Sequence, residues 1–296
     1  MVQTPATDAD LWHDAANELG EGPIWHPDRR SVLWFDIPNR RMFERSIEGG
    51  TSREHQFDVM ASAAALVDER TVLVATEQDL RLVNLDTRDV LPLHPFVEAH
   101  AHIRSNDARV HPSGAFWISS MGKNAEPEAG AIWWFHAGEL QLLFDKITIG
   151  NAICFAPGGE AAYFADSAKF TIWRVATDPQ TGLPVGDPVV FKRVGEGEGE
   201  PDGAVVDADG RIWTAAWGAS AVHVWHPDGS LVDRCALAVS QPTCPAFFGD
   251  DLSEMIVTSA RQNLSAETLA NEPQAGALHK LRRRVRGVPE PYVRLA

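Results

Sequence analysis

One pattern is written six times along this chain: a short apolar run, a tight polar turn, and a second apolar run. It is plainest at 201–218, PDGAVVDADGRIWTAAWG, where DADG turns one strand into the next. The other copies are GPIWHPDRRSVLWFDI, AAALVDERTVLVAT, DARVHPSGAFWISS, AICFAPGGEAAYFAD and CPAFFGDDLSEMIVTS. The residues at the turn, His26, Asp68, His111, Ala156, Asp207 and Phe248, lie 42, 43, 45, 51 and 41 residues apart. A third strand with its own turn follows most copies, as in GAIWWFHAGEL, FTIWRVATDPQTG, SAVHVWHPDGS and GALHKLRR. A repeat of roughly 40–50 residues holding about four strands is a propeller blade. The expectation is therefore an all-β fold: a six-bladed β-propeller of four-stranded antiparallel blades around a central channel. It would form one domain over 1–296, with 1–10 as a flexible N-terminus.

A four-stranded sheet has two apolar faces to bury, and radial stacking against its neighbours covers both. Trp34, Trp117, Trp133, Trp213 and Trp225 lie in second or third strands and are assigned to that packing. The stretch from Leu11 to Leu19 precedes the first copy and is expected to supply a strand to the last blade, which closes the ring and removes open sheet edges. Two segments stand outside the pattern. GEGEGE at 195–200 is glycine-rich but anionic, so it would repel phosphate, and it reads as a solvated loop. QNLSAETLANEPQA at 262–275 is polar and reads as an inter-strand loop.

Composition bounds the partners. With 26 basic against 41 acidic residues the formal charge is −15, which argues against nucleic acid and anionic membrane. Cys154, Cys235 and Cys244 are odd in number and lack C-x-x-C spacing, so they read as buried, reduced side chains. The N-terminal MVQTPATDAD has neither the basic nor the apolar region of a signal peptide, and no apolar run is long enough to span a membrane. A cytoplasmic protein is expected.

Five residues before each turn position stand Glu21, Ala63, Asn106, Asn151, Asp202 and Thr243. Four of these are carboxylate or carboxamide. Equivalent positions in a propeller share one radius and height, so the four side chains should converge near one mouth of the channel. Asp-Gly and Asn-x pairs are also ordinary turn chemistry; four in register, a glutamate among them, point beyond turns. Oxygen donors of this kind suit a hard divalent cation, calcium above all, with magnesium, manganese or zinc compatible. His100 and His102 form an H-x-H pair with no third ligand in register and read as a packing or surface pair.

The segments ELGEGPIW, RSNDARVHPSG, SSMGKNAEPEAGAI, NAICFAPGGEAAYFADS and PDGAVVDADGRIWTAAWG together resemble the SMP-30/gluconolactonase/regucalcin-like lactonases, which are six-bladed propellers. The similarity runs over about residues 18–261, and MGKNAEPEAGAI and QPTCPAF look most like bacterial sugar-acid lactonases of the arabinono- and gluconolactonase type. The resemblance implies a small sugar lactone as substrate and one divalent metal held by Glu21, Asn151 and Asp202. It implies that Asp202 is also the general base, that Arg104 and Asn106 contact substrate, and that Lys123 and Glu126 lie beside it. Gly150 departs from the proline or serine expected there and would loosen the backbone before Asn151. The alternatives are a non-catalytic calcium-binding or interaction propeller, and a metal-dependent esterase acting on non-sugar substrates.

Overall fold

The computed structural model describes residues 7–96, 101–195 and 197–296. Six four-stranded antiparallel sheets account for nearly all of its regular structure. The first is β2 (Gly20–His26), β3 (Ser31–Asp36), β4 (Arg41–Ser46) and β5 (Arg53–Gln56), numbered so because β1 (Ala9–His13) belongs elsewhere. The second is β6 (Ala61–Leu66), β7 (Thr71–Thr76), β8 (Asp79–Asn84) and β9 (Val90–Pro95). The third is β10 (Ile103–Val110), β11 (Phe116–Gly122), β12 (Gly130–His136) and β13 (Glu139–Ile147). The fourth is β14 (Gly150–Phe155), β15 (Ala161–Asp166), β16 (Thr171–Ala176) and β17 (Val189–Arg193). The fifth is β18 (Glu200–Val206), β19 (Ile212–Trp217), β20 (Ala221–Trp225) and β21 (Leu231–Ala236). The sixth runs β22 (Pro242–Phe248), β23 (Glu254–Ser259), β24 (Leu278–Leu281) and then β1. Each first strand touches the first strands of the blades on either side, so β2, β6, β10, β14, β18 and β22 form a closed inner ring.

The hydrophobic core is correspondingly divided into six clusters, one in each cleft between successive blades. β3 shows why. Its period of two sends Leu33 and Phe35 into the cleft with the second blade, and Val32 and Trp34 into the cleft with the sixth. β7 repeats the device with Val72 and Val74 on one side and Leu73 and Ala75 on the other. Strands buried on both faces read as continuous apolar runs, which is what the sequence displays. Trp34, Trp117, Trp213 and Trp225 are buried in these clusters, and Trp133 packs partly buried against one of them.

Ring closure uses the N-terminal strand, as expected, but over Ala9–His13, where Ala9 pairs with Leu281 and His13 with Leu278. Leu19, at the end of the stretch proposed for this role, instead bridges to Ala260 on the inner side of the same blade. Part of the 1–10 segment lies outside the described residues; Ala9 and Asp10 belong to the closing strand. The 262–275 connection carries one short helix, α1 (Ala266–Asn271), capped by Ser265. All three cysteines are buried and free.

The C-terminal segment, unassigned in the repeat, runs across the far face of the ring. Gly287 N donates to Leu252 O in the sixth blade, Val293 N to Leu66 O in the second, and Arg294 N to Gly114 O in the third. Between these anchors, Val288 to Pro291 cover the channel beside Val110, Phe155 and Val206, residues at the C-terminal ends of inner strands. Glu290 reaches into the channel, where its carboxylate accepts from Arg109 Nη1 at 2.8 Å.

Candidate active site

The four polar register positions come together. Glu21, Asn106, Asn151 and Asp202 are 5–7% exposed and line one cavity of about 400 Å³, at the channel mouth where the inner strands begin. A bulge in each inner strand positions them: the ladder shifts register between Glu21 and Ile24, Ser105 and Ala108, Asn151 and Cys154, and Pro201 and Ala204. Such bulges re-aim side chains that a regular ladder would send into the flanking clefts. In the first and fourth blades the residue after the polar one is left-handed, Gly22 at φ 55° and Ala152 at φ 52°. Asp36 and Asp166 fix the loops leading in, accepting from Leu19 N at 3.2 Å and Ile149 N at 3.0 Å respectively.

The two remaining register positions tie blades together. Thr243 Oγ1 donates to Gly20 O at 2.5 Å, joining the sixth blade to the first. Ala63 is fully packed in the second-to-third cleft, and its neighbour Ser62 donates to Ser105 Oγ at 2.8 Å.

A chain of hydrogen bonds crosses the site. Arg104 Nη1 donates to Asn106 Oδ1 at 2.6 Å, and Asn106 Nδ2 donates to Asn151 Oδ1 and to Gly150 O, both at 2.9 Å. Asn151 Nδ2 donates to Ser167 Oγ at 2.9 Å, which donates onward to Pro201 O at 2.6 Å beside Asp202. Gly150 does not loosen this arrangement. Its carbonyl is held by both Asn106 and Ser119 Oγ, and a Cβ there would stand 2.6 Å from Ser119 Cβ. The glycine is required by close approach.

Lys123 lines the cavity with its ammonium paired to Glu77. Glu126 is not part of the cavity wall; its carboxylate accepts from Asn124 N and Nδ2 at 3.1 and 3.0 Å and so holds Asn124, which is. His100 lies outside the described residues, and His102 is exposed. Sequence reasoning missed Ser167, Glu200, Trp217, Gln262 and Asn263, which also line the cavity. Glu200 is the last residue of GEGEGE, and Gln262 and Asn263 open the polar loop before α1.

Burial sets the electrostatics. Glu21 is pushed from 4.5 to about 8, first by desolvation and then by repulsion from Asp107. Asp202 is raised well above its ordinary value by desolvation, then by Glu21, Asp107 and Glu200. Arg104 is lowered to about 10 by burial, against the pull of Glu21, Asp202 and Glu77. Two buried carboxylates facing one half-committed guanidinium leave room for more positive charge. Among the described residues no three His, Cys, Asp or Glu side chains gather as a metal cluster. The donors that could hold a cation are the Glu21 and Asp202 carboxylates with Asn151 Oδ1, which keeps one lone pair after accepting from Asn106. All are oxygen, which fits a hard divalent ion.

A pH dependence follows. In the metal-free protein Glu21 and Asp202 hold protons in the folded state that the unfolded chain has already lost, so folding stability falls as pH rises from about 4.5 toward 8. Melting temperature without metal should decline across that window, and saturating calcium should flatten the decline. Titrating calcium at pH 7 should release protons from these carboxylates, measured with an indicator dye in weak buffer. No proton release would show that these carboxylates do not receive the ion.

A six-bladed propeller whose first strands aim carboxylates, carboxamides and one arginine into a single well defines the class. The chain belongs to the SMP-30/gluconolactonase/LRE-like family, whose model matches residues 19–261. It is 42% identical over 282 residues, 95% of this chain and 96% of the other, to a Rhizobium meliloti (strain 1021) protein provisionally named a sugar lactone lactonase. It is 33% identical over 280 residues to the L-arabinolactonase of Azospirillum brasilense, covering 93% of this chain and 91% of that one. The crystal structure of a calcium-binding protein, regucalcin, from Agrobacterium tumefaciens superposes with a TM-score of 0.96 at 37% identity, covering 98% of each chain. No described helix is long and apolar enough to cross a membrane.

Proposed function

We propose that this protein is a divalent-metal-dependent lactonase that opens a sugar-acid lactone to the free acid. The observation that carries the reading is the convergence of Glu21, Asn151 and Asp202 with Arg104 and Asn106 on one buried cavity. The lactonase names of the relatives support the reaction, and the calcium-binding description of the Agrobacterium tumefaciens protein supports the ion.

Glu21, Asp202 and Asn151 would hold the cation, which when bound supplies polarisation of the lactone carbonyl and acidification of water. Burial and the neighbouring carboxylates raise Asp202 above its ordinary value, which makes it a stronger base, and it is the base that takes the proton from the attacking water. Arg104 is fixed by its bonds to Asn106 Oδ1 and Ser105 O, and it offers its remaining N–H groups where negative charge develops on the carbonyl oxygen. Ser167 and Asn106 hold the Asn151 carboxamide in one orientation. Leu19, Met121, Ile149 and Trp217 give the well its apolar wall, against which a sugar ring can lie.

The test is turnover of a panel of aldonolactones, followed by acid release. Chelation should abolish activity, and calcium, manganese or zinc should restore it. Full activity after exhaustive chelation, or no turnover of any lactone with any of these ions, would refute the reading.

A further inference from the structure

We infer that Glu200 is a specificity-determining residue that makes the site select neutral polyhydroxylated lactones and reject those carrying a phosphate, sulfonate or second carboxylate. The inference rests on the lactonase reading and deepens it. Glu200 opens β18, pairs across the ladder with Trp217, and lines the cavity two residues before Asp202. Gly199 before it is left-handed at φ 87°, and a side chain there would meet Trp217 O at 2.8 Å, so the backbone presenting Glu200 is tightly placed.

Every other charged group of the cavity already has a partner or a role in the proposed reaction. Glu21 and Asp202 are the proposed cation ligands, Arg104 is bound to Asn106 and Ser105, and Lys123 is paired with Glu77. Glu200 is half-buried, and among the described residues no hydrogen bond or ion pair engages its carboxylate. A carboxylate only accepts hydrogen bonds. Hydroxyl groups of a neutral sugar satisfy it, whereas an anionic substituent brings more acceptors and like charge. Lys123 would otherwise invite such an anion, but Glu77 neutralises it. Discrimination built on a repulsive element of this kind is how close relatives of a substrate are excluded.

The experiment compares D-glucono-1,5-lactone with its 6-phosphate in the metal-loaded wild type, Glu200→Gln, Glu200→Lys and Glu198→Gln. Glu198 sits in the same loop, but its carboxylate accepts from Gly195 N at 2.6 Å. The wild type should favour the neutral lactone in kcat/KM by at least about tenfold. Glu200→Gln should shrink that ratio at least about fivefold through KM, Glu200→Lys should shrink it further, and Glu198→Gln should leave it unchanged. A wild type indifferent to the phosphate, or a ratio that Glu200→Gln and Glu200→Lys do not move, overturns the inference. Binding of the hydrolysis-resistant gluconolactam and its 6-phosphate, by calorimetry, keeps the two readings separable. Charge discrimination that depends on Glu200 in the lactam pair, with neither lactone turned over, would sink the lactonase reading while upholding the role of Glu200. Lactam binding without discrimination overturns that role whatever the turnover.

Discussion

Asp202→Asn should lower kcat by about 10³-fold while the propeller stays folded. The substitution keeps a carboxamide oxygen where the carboxylate was, much as Asn151 presents one, but it removes the base and one negative charge. Metal affinity should fall, and at saturating metal the kcat defect should remain. Stability should hold or rise in the metal-free protein, because Asp202 is buried beside Glu21, Asp107 and Glu200 and all three repel its charge. Asp202→Ala should lose activity at least as completely, since it removes the ligand as well. The measurement is steady-state kinetics across a metal titration, with circular dichroism and a thermal melt confirming the fold. Near-wild-type kcat in Asp202→Asn at saturating metal would remove Asp202 from the role of base.

The second large effect lies at the other end of the channel. Arg109 is buried, and although burial disfavours its charge, Glu290, Cys244 and Asp107 hold its pKa above the ordinary value. Glu290 is its direct partner, and both side chains are largely shielded, at 9% and 17% exposure. Glu290→Ala should therefore destabilise the protein by about 3 kcal/mol, because the arginine is left buried without its acceptor. The melting temperature should drop by roughly 5–10 °C. Replacing the pair together, as Arg109→Leu with Glu290→Leu, should recover part of that loss. A double-mutant cycle reads the coupling directly, and additive losses would show that the pair does not hold the C-terminal segment in place.

Much of the architecture can be read from residues. DADG at 207–210 and its counterparts mark the hairpins, and alternating apolar side chains such as Val32, Leu33, Trp34 and Phe35 reveal strands buried on both faces. The polar register was legible because a propeller repeats position as well as sequence: Glu21, Asn106, Asn151 and Asp202 occupy one place in four copies. The same register also marks Ala63 and Thr243, and only the packed ring shows that the threonine ties two blades together. Ser167, Trp217, Glu200, Gln262 and Asn263 left no such signal. They arrive at the cavity on loops or strand ends whose placement depends on how neighbouring blades stack. Glu126 has the opposite history, a carboxylate in a suggestive motif that turns inward on Asn124. The C-terminal segment was invisible for a further reason: an irregular strap held by backbone hydrogen bonds to four blades has no periodicity to detect.

That strap has a consequence for traffic through the molecule. Midway down the channel the buried side chains of Asp107, Arg109 and Cys244 lie together, and Val288 to Pro291 cross its far end. The ring is therefore a blind well rather than a tunnel. On the proposed chemistry, lactone enters and acid leaves through one doorway, so each departing product must clear the space that the next substrate needs.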